Sequence, residues 1–200
     1  MAVVYGCTNF NSVNYNAKAT IDDGSCVITG TKHHNITGEL TQQLLAAGSN
    51  VNISSISLVN INFGGSTLID LYIEKQLTGR FYLLKRVELP TGVTLTHDII
   101  GLRDIVGEFG LFIKLTKSDV FTLTGTIDVT GTNTNVPGSS TLYLSELAVG
   151  DEITVTGETR TIATITNATT ATVTAAWGSD LAADSTPDCS PKSRVDVILS

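Results

Sequence analysis

The chain has 200 residues, of which 42% are hydrophobic and 16% are charged, so it can bury a core and is not disordered as a whole. Its net charge of −7, with 12 scattered Lys and Arg residues against 19 Asp and Glu, argues against a nucleic-acid partner, because phosphate neutralisation needs clustered cations. No apolar run approaches the roughly 20 residues of a membrane-spanning helix, so no membrane partner is expected. The first ten residues lack a basic region and a long apolar core, so we expect no secretory signal and synthesis in a cytoplasm.

The first segment, residues 5–27, is rich in Asn, Asp, Ser and Gly, which favour turns, and has too little apolar material for a core. Cys7 and Cys26 bound it and are the candidate disulfide, while Cys189 would then be free or bonded between chains. A reducing cytosol argues against a disulfide and an oxidising exterior argues for one. The sequence leaves the redox state open.

The carboxylates of the same segment invite a comparison with calcium loops. Asp22 and Asp23, together with Asn14 and Asn16, have the composition of such a loop, but the full D-x-[DN]-x-[DN]-G frame is missing. We therefore favour Asx-turns in a stapled loop over a metal site.

Residues 6–26 fit the frame G-C-T-x-x-x-(S/A)-x-N-Y-N-x-x-A-T-x-D-D-G-S-C. This frame resembles a small Cys-bounded module found on surface proteins of aquatic bacteria and in structural proteins of their phages. The resemblance implies a stapled module on an exposed structural protein.

Residues 28–50 begin extended and continue into 39–47, for which we favour a strand over a helical turn. A strand would place the adjacent His33 and His34 on opposite faces, and His97 is distant in sequence, so no shared metal site is expected.

The stretch from Val51 to Leu89 is the centre of the predicted fold, because apolar and polar residues alternate there with period two, as in half-buried strands. Lys85 interrupts the alternation once. Gly64-Gly65 and Thr78-Gly79 supply the backbone freedom for turns between antiparallel strands. The predicted inward residues are Ile56, Leu58, Ile69, Leu71, Ile73, Phe81, Leu83, Val87 and Leu89.

After the turn at Pro90–Gly92, Val93 and Leu95 begin a further strand, residues 98–107 are expected to form a short helix or loop, and 111–115 form another strand. The succession of motifs from Thr37 to Leu95 resembles small virion proteins of tailed phages.

At Ser118 the composition changes to a Thr-rich stretch with few charges. The segment 146–176 predicts three strands with turns at Gly157-Glu158 and Asn167-Ala168. Residues 145–165 fit (S/T)-x-L-x-V-G-D-x-I-x-V-x-G followed by x-R-T-(V/I)-x-x-I-(T/S), which resembles a small β-barrel module of phage tail, neck and fibre proteins. The resemblance implies a turn at Gly150-Asp151 and an exposed Arg160.

Val195, Val197 and Leu199 alternate again, and such a short strand needs a partner. We expect it to return to the sandwich, which makes the preceding region an insertion. The predicted fold is all-β: a Cys-stapled N-terminal module (1–27), an antiparallel, jelly-roll-like β-sandwich (28–119 plus 192–200) and an inserted small β-barrel (120–191).

Motifs for nucleophiles, phosphate loops or zinc are missing from the sequence, so we expect no enzyme and no cofactor.

The three resemblances together imply a structural virion protein of a tailed bacteriophage, assembled in the host cytoplasm. We expect a head decoration (cement) or head-fibre protein that docks on the major capsid protein or other virion proteins through an apolar sandwich edge. The barrel and the Cys module would both project, and a homo-oligomer is expected, a trimer before a dimer. The alternative is a tail or neck fibre, or an adhesin whose barrel binds host surface glycans. Against the adhesin, the barrel offers only Trp177, with Tyr143, as a ring platform for a sugar.

Overall fold

The computed structural model describes residues 3–10, 12–27, 30–75, 78–116 and 119–200, and these residues form mainly antiparallel β-structure with one short helix and one short parallel pair in the N-terminal segment. Ser118, where the composition changes, lies outside them. No helix of the described residues is long and apolar enough to cross a membrane. The elements are β1 (Tyr5–Gly6), β2 (Ile21–Asp22), β3 (Lys32–Thr37), β4 (Thr41–Leu45), β5 (Ile53–Asn60), β6 (Thr67–Lys75), β7 (Gly79–Leu89), β8 (Thr94–Leu102), β9 (Phe109–Thr116), β10 (Phe121–Thr122), β11 (Thr126–Val129), β12 (Asn135–Ser139), α1 (Tyr143–Glu146), β13 (Glu152–Val155), β14 (Glu158–Asn167), β15 (Thr170–Val173), β16 (Leu181–Asp184), β17 (Asp188–Ser190) and β18 (Arg194–Leu199).

The predicted jelly-roll-like sandwich is confirmed. One sheet has the order β3-β18-β5-β8 and the other the order β4-β9-β6-β7, and every pairing within them is antiparallel. Counted along the sandwich alone, the eight strands give the sheets 1-8-3-6 and 2-7-4-5, which is the double Greek-key arrangement of a jelly roll. The return of the C-terminal strand is also confirmed, because β18 lies between β3 and β5.

The alternating residues fill the space between the two sheets. Ile56, Leu58, Ile69 and Leu71, together with Val195, Val197 and Leu199 of β18, are at most 1% exposed and belong to one core cluster. Burying each such side chain stabilises the fold by about 2 kcal/mol relative to exposure. On the edge strand β7 the packing is looser, because Phe81 remains 49% exposed.

Three local expectations have clear outcomes. The favoured strand in 39–47 is present as β4, and the turns at Gly157 and Asn167 connect β13, β14 and β15. The helix or loop expected for 98–107 is wrong for its first half, because residues up to Leu102 continue β8 by pairing with β5. This pairing is a long-range contact that overrides a weak local pattern.

The insertion forms a curled, eight-stranded sheet, which we call the half-barrel, with the order β10-β17-β13-β14-β15-β12-β11-β16. It has its own core, in which Trp177, Tyr143, Ile153 and Cys189 are at most 1% exposed. The carboxylate of Asp184 on β16 accepts a hydrogen bond of 2.7 Å from the backbone N–H of Thr156, in the β13–β14 turn. This bond brings one edge of the sheet back towards its middle.

The half-barrel and the N-terminal module lie at opposite ends of the sandwich. β5 runs from Ile53 to Asn60, a rise of about 25 Å. Asn60 pairs with Val195, which follows the return from the half-barrel, whereas Ile53 pairs with Leu102, which precedes the loop that holds the module. We call the half-barrel end proximal and the other end distal.

The segment that leads from the sandwich into the half-barrel is held against the β5–β6 loop. Phe121 packs on Phe63 with 5.7 Å between ring centroids, and the Asp119 carboxylate accepts a 2.6 Å hydrogen bond from the Ser66 hydroxyl. Gly65 has a φ of +78° and lies so close that a Cβ atom there would come within 2.5 Å of the Asp119 carbonyl oxygen. A side chain at this glycine would push the half-barrel away.

A buried ion pair completes this joint. Asp151 of the half-barrel is 1% exposed, and its carboxylate pairs with the guanidinium of Arg194 at the start of β18. The same carboxylate accepts hydrogen bonds from the backbone N–H groups of Ala148 (2.8 Å) and Lys192 (3.1 Å). Arg194 also donates to the Asn62 side chain at 3.2 Å. Charge and hydrogen bonds thus fix the half-barrel on the sandwich.

Replacing Arg194 by Ala tests this joint. The substitution leaves the Asp151 carboxylate buried without its cation, and we expect the free energy of unfolding to fall by about 3 kcal/mol in urea titrations. The matched control is Lys75→Ala, which breaks an exposed pair with Glu108 and should scarcely change stability. Equal losses for the two variants would contradict the account of the joint.

Candidate functional site at the distal end

The N-terminal module is held by the predicted disulfide. Cys7 and Cys26 are bonded, with 4.7 Å between their Cα atoms, and both side chains are buried. The bond closes a loop with a sequence separation of 19, which in the chain-entropy account stabilises the module by about 3 kcal/mol. The disulfide replaces the core that this segment lacks.

The carboxylates of the module act as turn formers. The side chain of Asp22 accepts from the backbone N–H of Gly24, and that of Asp23 accepts from Ser25, each at 2.9 Å. The hydrogen bonds from Ser25 hold the pKa of Asp23 below its ordinary value. Asn16 accepts in the same way from Lys18, so the Asx-turn interpretation is confirmed for Asp22, Asp23 and Asn16. Asn14 instead accepts from the backbone N–H of Val27 at 2.8 Å, a contact between distant parts of the module.

One arginine fastens the module to the sandwich. Arg103, just after β8, donates to the carbonyl oxygen of Cys26 at 2.9 Å and to the side chain of Asn50 at 2.7 Å. Asn50 in turn donates to the same Cys26 carbonyl at 2.6 Å. The module is therefore a fixed part of the distal end.

The loop beside this anchor is organised by one carboxylate. Asp104 is 6% exposed and accepts from five backbone N–H groups, those of Gly48, Val106, Gly107, Glu108 and Phe109, at 2.8 to 3.3 Å. Burial by itself raises the pKa of Asp104, but these N–H donors outweigh it and hold the pKa below its ordinary value. The loop that results presents Ile105 and Val106 to solvent, 52% and 77% exposed.

Exposed apolar side chains concentrate at the distal end. Ten of the nineteen large hydrophobic residues that are exposed in the described part of the chain lie there, and they include five of the six exposed aromatics. Large exposed apolar areas mark interaction sites rather than ordinary surface. The ten residues are Val3, Tyr5, Phe10, Val13, Tyr15 and Ile21 of the module, Phe81 and Tyr82 of β7, and Ile105 and Val106 of the loop.

The outer face of the β4-β9-β6-β7 sheet adds a second feature, which we call the cation–aromatic face: Tyr72, Tyr82, Phe112, Arg80 and Lys85. Tyr72 stacks on Phe112 with 5.7 Å between centroids and an interplanar angle of 12°. The Arg80 guanidinium lies 4.8 Å from the Tyr72 centroid, and the Lys85 ammonium lies 4.9 Å from that of Tyr82. Cations so placed are attracted by the ring electrons, and the Arg80 guanidinium is also paired with the Glu74 carboxylate at 3.1 Å.

Charge is distributed very unevenly over the molecule. Residues 120–191 contain eight Asp and Glu residues against one Arg, a net charge of −7. The remaining 128 residues contain eleven acidic and eleven basic residues and are neutral. The proximal half-barrel is therefore acidic, whereas the sandwich with its module is neutral and apolar at its distal end.

The half-barrel residues proposed as glycan platforms are in its core. Trp177 is 1% exposed and Tyr143 is 0% exposed, so neither presents a ring to solvent, and that expectation is wrong. Burial also raises the pKa of Tyr143. Arg160 was expected to be exposed, but its guanidinium lies 5.6 Å from the Trp177 ring and only 25% of its side chain is accessible.

The remaining candidate ligands are dispersed. His33 and His34 are neighbours on β3 and His97 is on β8, and no group of three or more His, Cys, Asp or Glu residues in the described ranges is arranged to hold a metal ion. Cys189 is a free thiol buried in the half-barrel core, where burial raises its pKa. A bond from Cys189 to another chain would require that core to open.

Comparisons with known protein families, curated proteins and solved structures found no significant match to this chain.

An Asp104→Asn variant tests the distal loop. Asn keeps the shape but loses the charge that the N–H groups favour, so we expect a loss of about 2 kcal/mol at pH 7. Because the folded pKa of Asp104 is lowered, its contribution is complete above the unfolded value of about 3.9 and disappears as the pH falls through the folded pKa. The difference in free energy of unfolding between the variant and the wild type should therefore be smaller in urea titrations at pH 3 than at pH 7. The control is Asp98→Asn, which changes an exposed carboxylate on β8 and should leave the free energy of unfolding nearly unchanged. If the stability difference between Asp104→Asn and the wild type does not depend on pH, this account of Asp104 is wrong.

Proposed function

We propose that this chain is a structural virion protein of a tailed bacteriophage, a head decoration (cement) or head-fibre protein that binds and stabilises the capsid surface. The support from sequence is that three separate segments resemble phage structural modules. The support from the fold is a jelly roll whose two ends differ in both charge and polarity.

The uneven ends are the observation that carries the proposal. A protein that covers a shell needs one surface for a partner and another that stays in solvent. The distal end offers exposed aromatics on a rigid, neutral base, while the half-barrel carries the net charge of −7. Aromatic residues are enriched in the buried centres of protein interfaces, whereas charged groups there must be desolvated.

In this proposal the distal end faces the major capsid protein and the half-barrel points outwards. The Asp104 loop would place Ile105 and Val106 against the shell without a loss of loop freedom on binding, because its backbone is already fixed. The acidic half-barrels would keep decorated particles soluble and apart. Our expectation that module and barrel project together is revised, since they lie at opposite ends of the sandwich.

A strand edge is a poor choice for the docking contact. The long edge strand β7 carries Arg80, Lys85 and Arg86, and its regular pairing is broken by a bulge where Arg86 has a φ of +51°. Charges and bulges on an edge discourage strand addition. We therefore move the proposed contact from the sandwich edge to its distal end.

Binding to purified heads tests the proposal. Heads that lack this protein should bind the wild-type chain and become more resistant to heat. The double variant Ile105→Ser/Val106→Ser should bind about tenfold more weakly, because two exposed apolar side chains leave the contact.

The control is Leu144→Ser/Val149→Ser on the half-barrel, where the side chains are 66% and 61% exposed. This variant should bind like the wild type. If it loses binding and the distal variant does not, the half-barrel is the contact with the head and the proposed orientation is wrong. Failure of the wild-type chain to bind heads would instead favour the fibre or adhesin alternative.

A further inference from the structure

Two surfaces of the chain are complementary to each other but are not joined within it. The module presents Tyr5, Phe10 and Tyr15, which are 64%, 78% and 46% exposed, beside the carboxylates Asp22 and Asp23. The cation–aromatic face presents Tyr82, which is 42% exposed and has the Lys85 ammonium over its ring. Arg80 lies beside it and covers the ring of Tyr72, which is 0% exposed. The module thus combines aromatic rings with carboxylates, and the cation–aromatic face combines aromatic rings with cations, so the two surfaces are complementary in charge.

The geometry of one chain keeps these surfaces apart. The hydrogen bonds described between the module and the sandwich go to Asn50 and Arg103, which flank β5 and β8 in one sheet. The cation–aromatic face belongs to the other sheet and looks outwards from it. A module held in this way is free to reach the outer face of a neighbouring chain.

The chemistry of the two surfaces favours contact. Exposed rings attract Arg and Lys cations, and aromatic pairs gain more than their buried area alone provides. Asp22 and Asp23 each use one oxygen for an Asx-turn, and the second oxygen of Asp22 also accepts from the Thr8 hydroxyl at 3.3 Å. A carboxylate oxygen has two lone pairs, so both residues retain acceptor positions for an Arg or Lys donor. The disulfide holds the module rigid, which lowers the entropy lost on binding.

We propose that the N-terminal module of one copy binds the cation–aromatic face of a second copy of this chain. The two surfaces differ, so the contact is heterologous, and repeated around an axis it closes a ring. A reciprocal dimer would also close this contact, and we expect the trimer before the dimer. The inference extends the proposed function by naming what joins the copies on a shell, and it leaves Ile105 and Val106 for the shell itself.

The oligomeric state of the full, oxidised chain tests the inference. Sedimentation equilibrium should show a concentration-dependent closed oligomer for the wild type. Phe10→Ser and Arg80→Gln/Lys85→Gln each remove one side of the contact and should weaken association about tenfold or more. Asp22→Asn/Asp23→Asn keeps the Asx acceptors but removes the charge, and it should weaken association in low salt more than in high salt.

The matched control is Leu144→Ser, an exposed apolar residue of the half-barrel, which should associate like the wild type. Mass spectrometry of non-reduced digests confirms that each variant keeps the Cys7–Cys26 bond. Zero-length carbodiimide coupling of mixed ¹⁴N- and ¹⁵N-labelled chains should join Lys85 of one isotope to Asp22 or Asp23 of the other.

A chain that stays monomeric at high concentration overturns the inference, as does an oligomer that both sets of variants leave unchanged. A monomer that still binds heads would reject the contact between copies and leave the proposed function standing. An oligomer that has the Lys85 cross-link but binds no heads would retain the contact and reject the proposed function.

Discussion

The position of the last strand, β18, governs the architecture of this protein. It fills the gap between β3 and β5, with Val195, Val197 and Leu199 at most 1% exposed, so the first sheet is complete only when the chain has returned from the half-barrel. The insertion must therefore leave and re-enter at the same end of the sandwich. The Asp151–Arg194 pair sits at that re-entry point and makes the return rigid.

Because of this constraint, the two ends of the molecule differ in charge and in apolar surface. The half-barrel is confined to the proximal end, and with it the entire net charge of −7. The loops at the other end are free to carry the module, whose attachment by Arg103 lies about the length of β5 away from the half-barrel. An apolar, neutral surface and an acidic surface are thus held apart by a rigid spacer, an arrangement suited to a protein that attaches at one end.

The strand pattern was readable from sequence because β5, β6, β9 and β18 each have one face in the core, and burial of one face imposes period two. The end of β8 was not readable, since it lies at a sheet edge with exposed residues such as Asp98 and depends on pairing with β5. The module was predictable from its two cysteines and its turn residues. Its anchor was not, because Arg103 and Asn50 are far apart in sequence.

Surface features required the structure for similar reasons. Simple alternation puts Tyr82 and Lys85 on opposite faces of β7, but the β6–β7 pairing shifts register between Tyr82 and Leu84, which lets the Lys85 ammonium lie over the Tyr82 ring. Trp177 was taken for an exposed platform, because composition does not tell which side of a curled sheet a ring occupies. Asp104 gathers N–H groups from its own loop and from Gly48, and the second part of that set is a long-range contact.

The central claim is that the protein attaches by its distal end with the half-barrel outermost. Electron cryomicroscopy of heads decorated with the full chain tests it most directly, because the jelly roll and the half-barrel have distinct shapes. The account predicts that density for the jelly roll contacts the shell at its distal end through the Ile105–Val106 loop, with the half-barrel farthest from the shell. Density in which the half-barrel lies against the shell and the module points into solvent would contradict it.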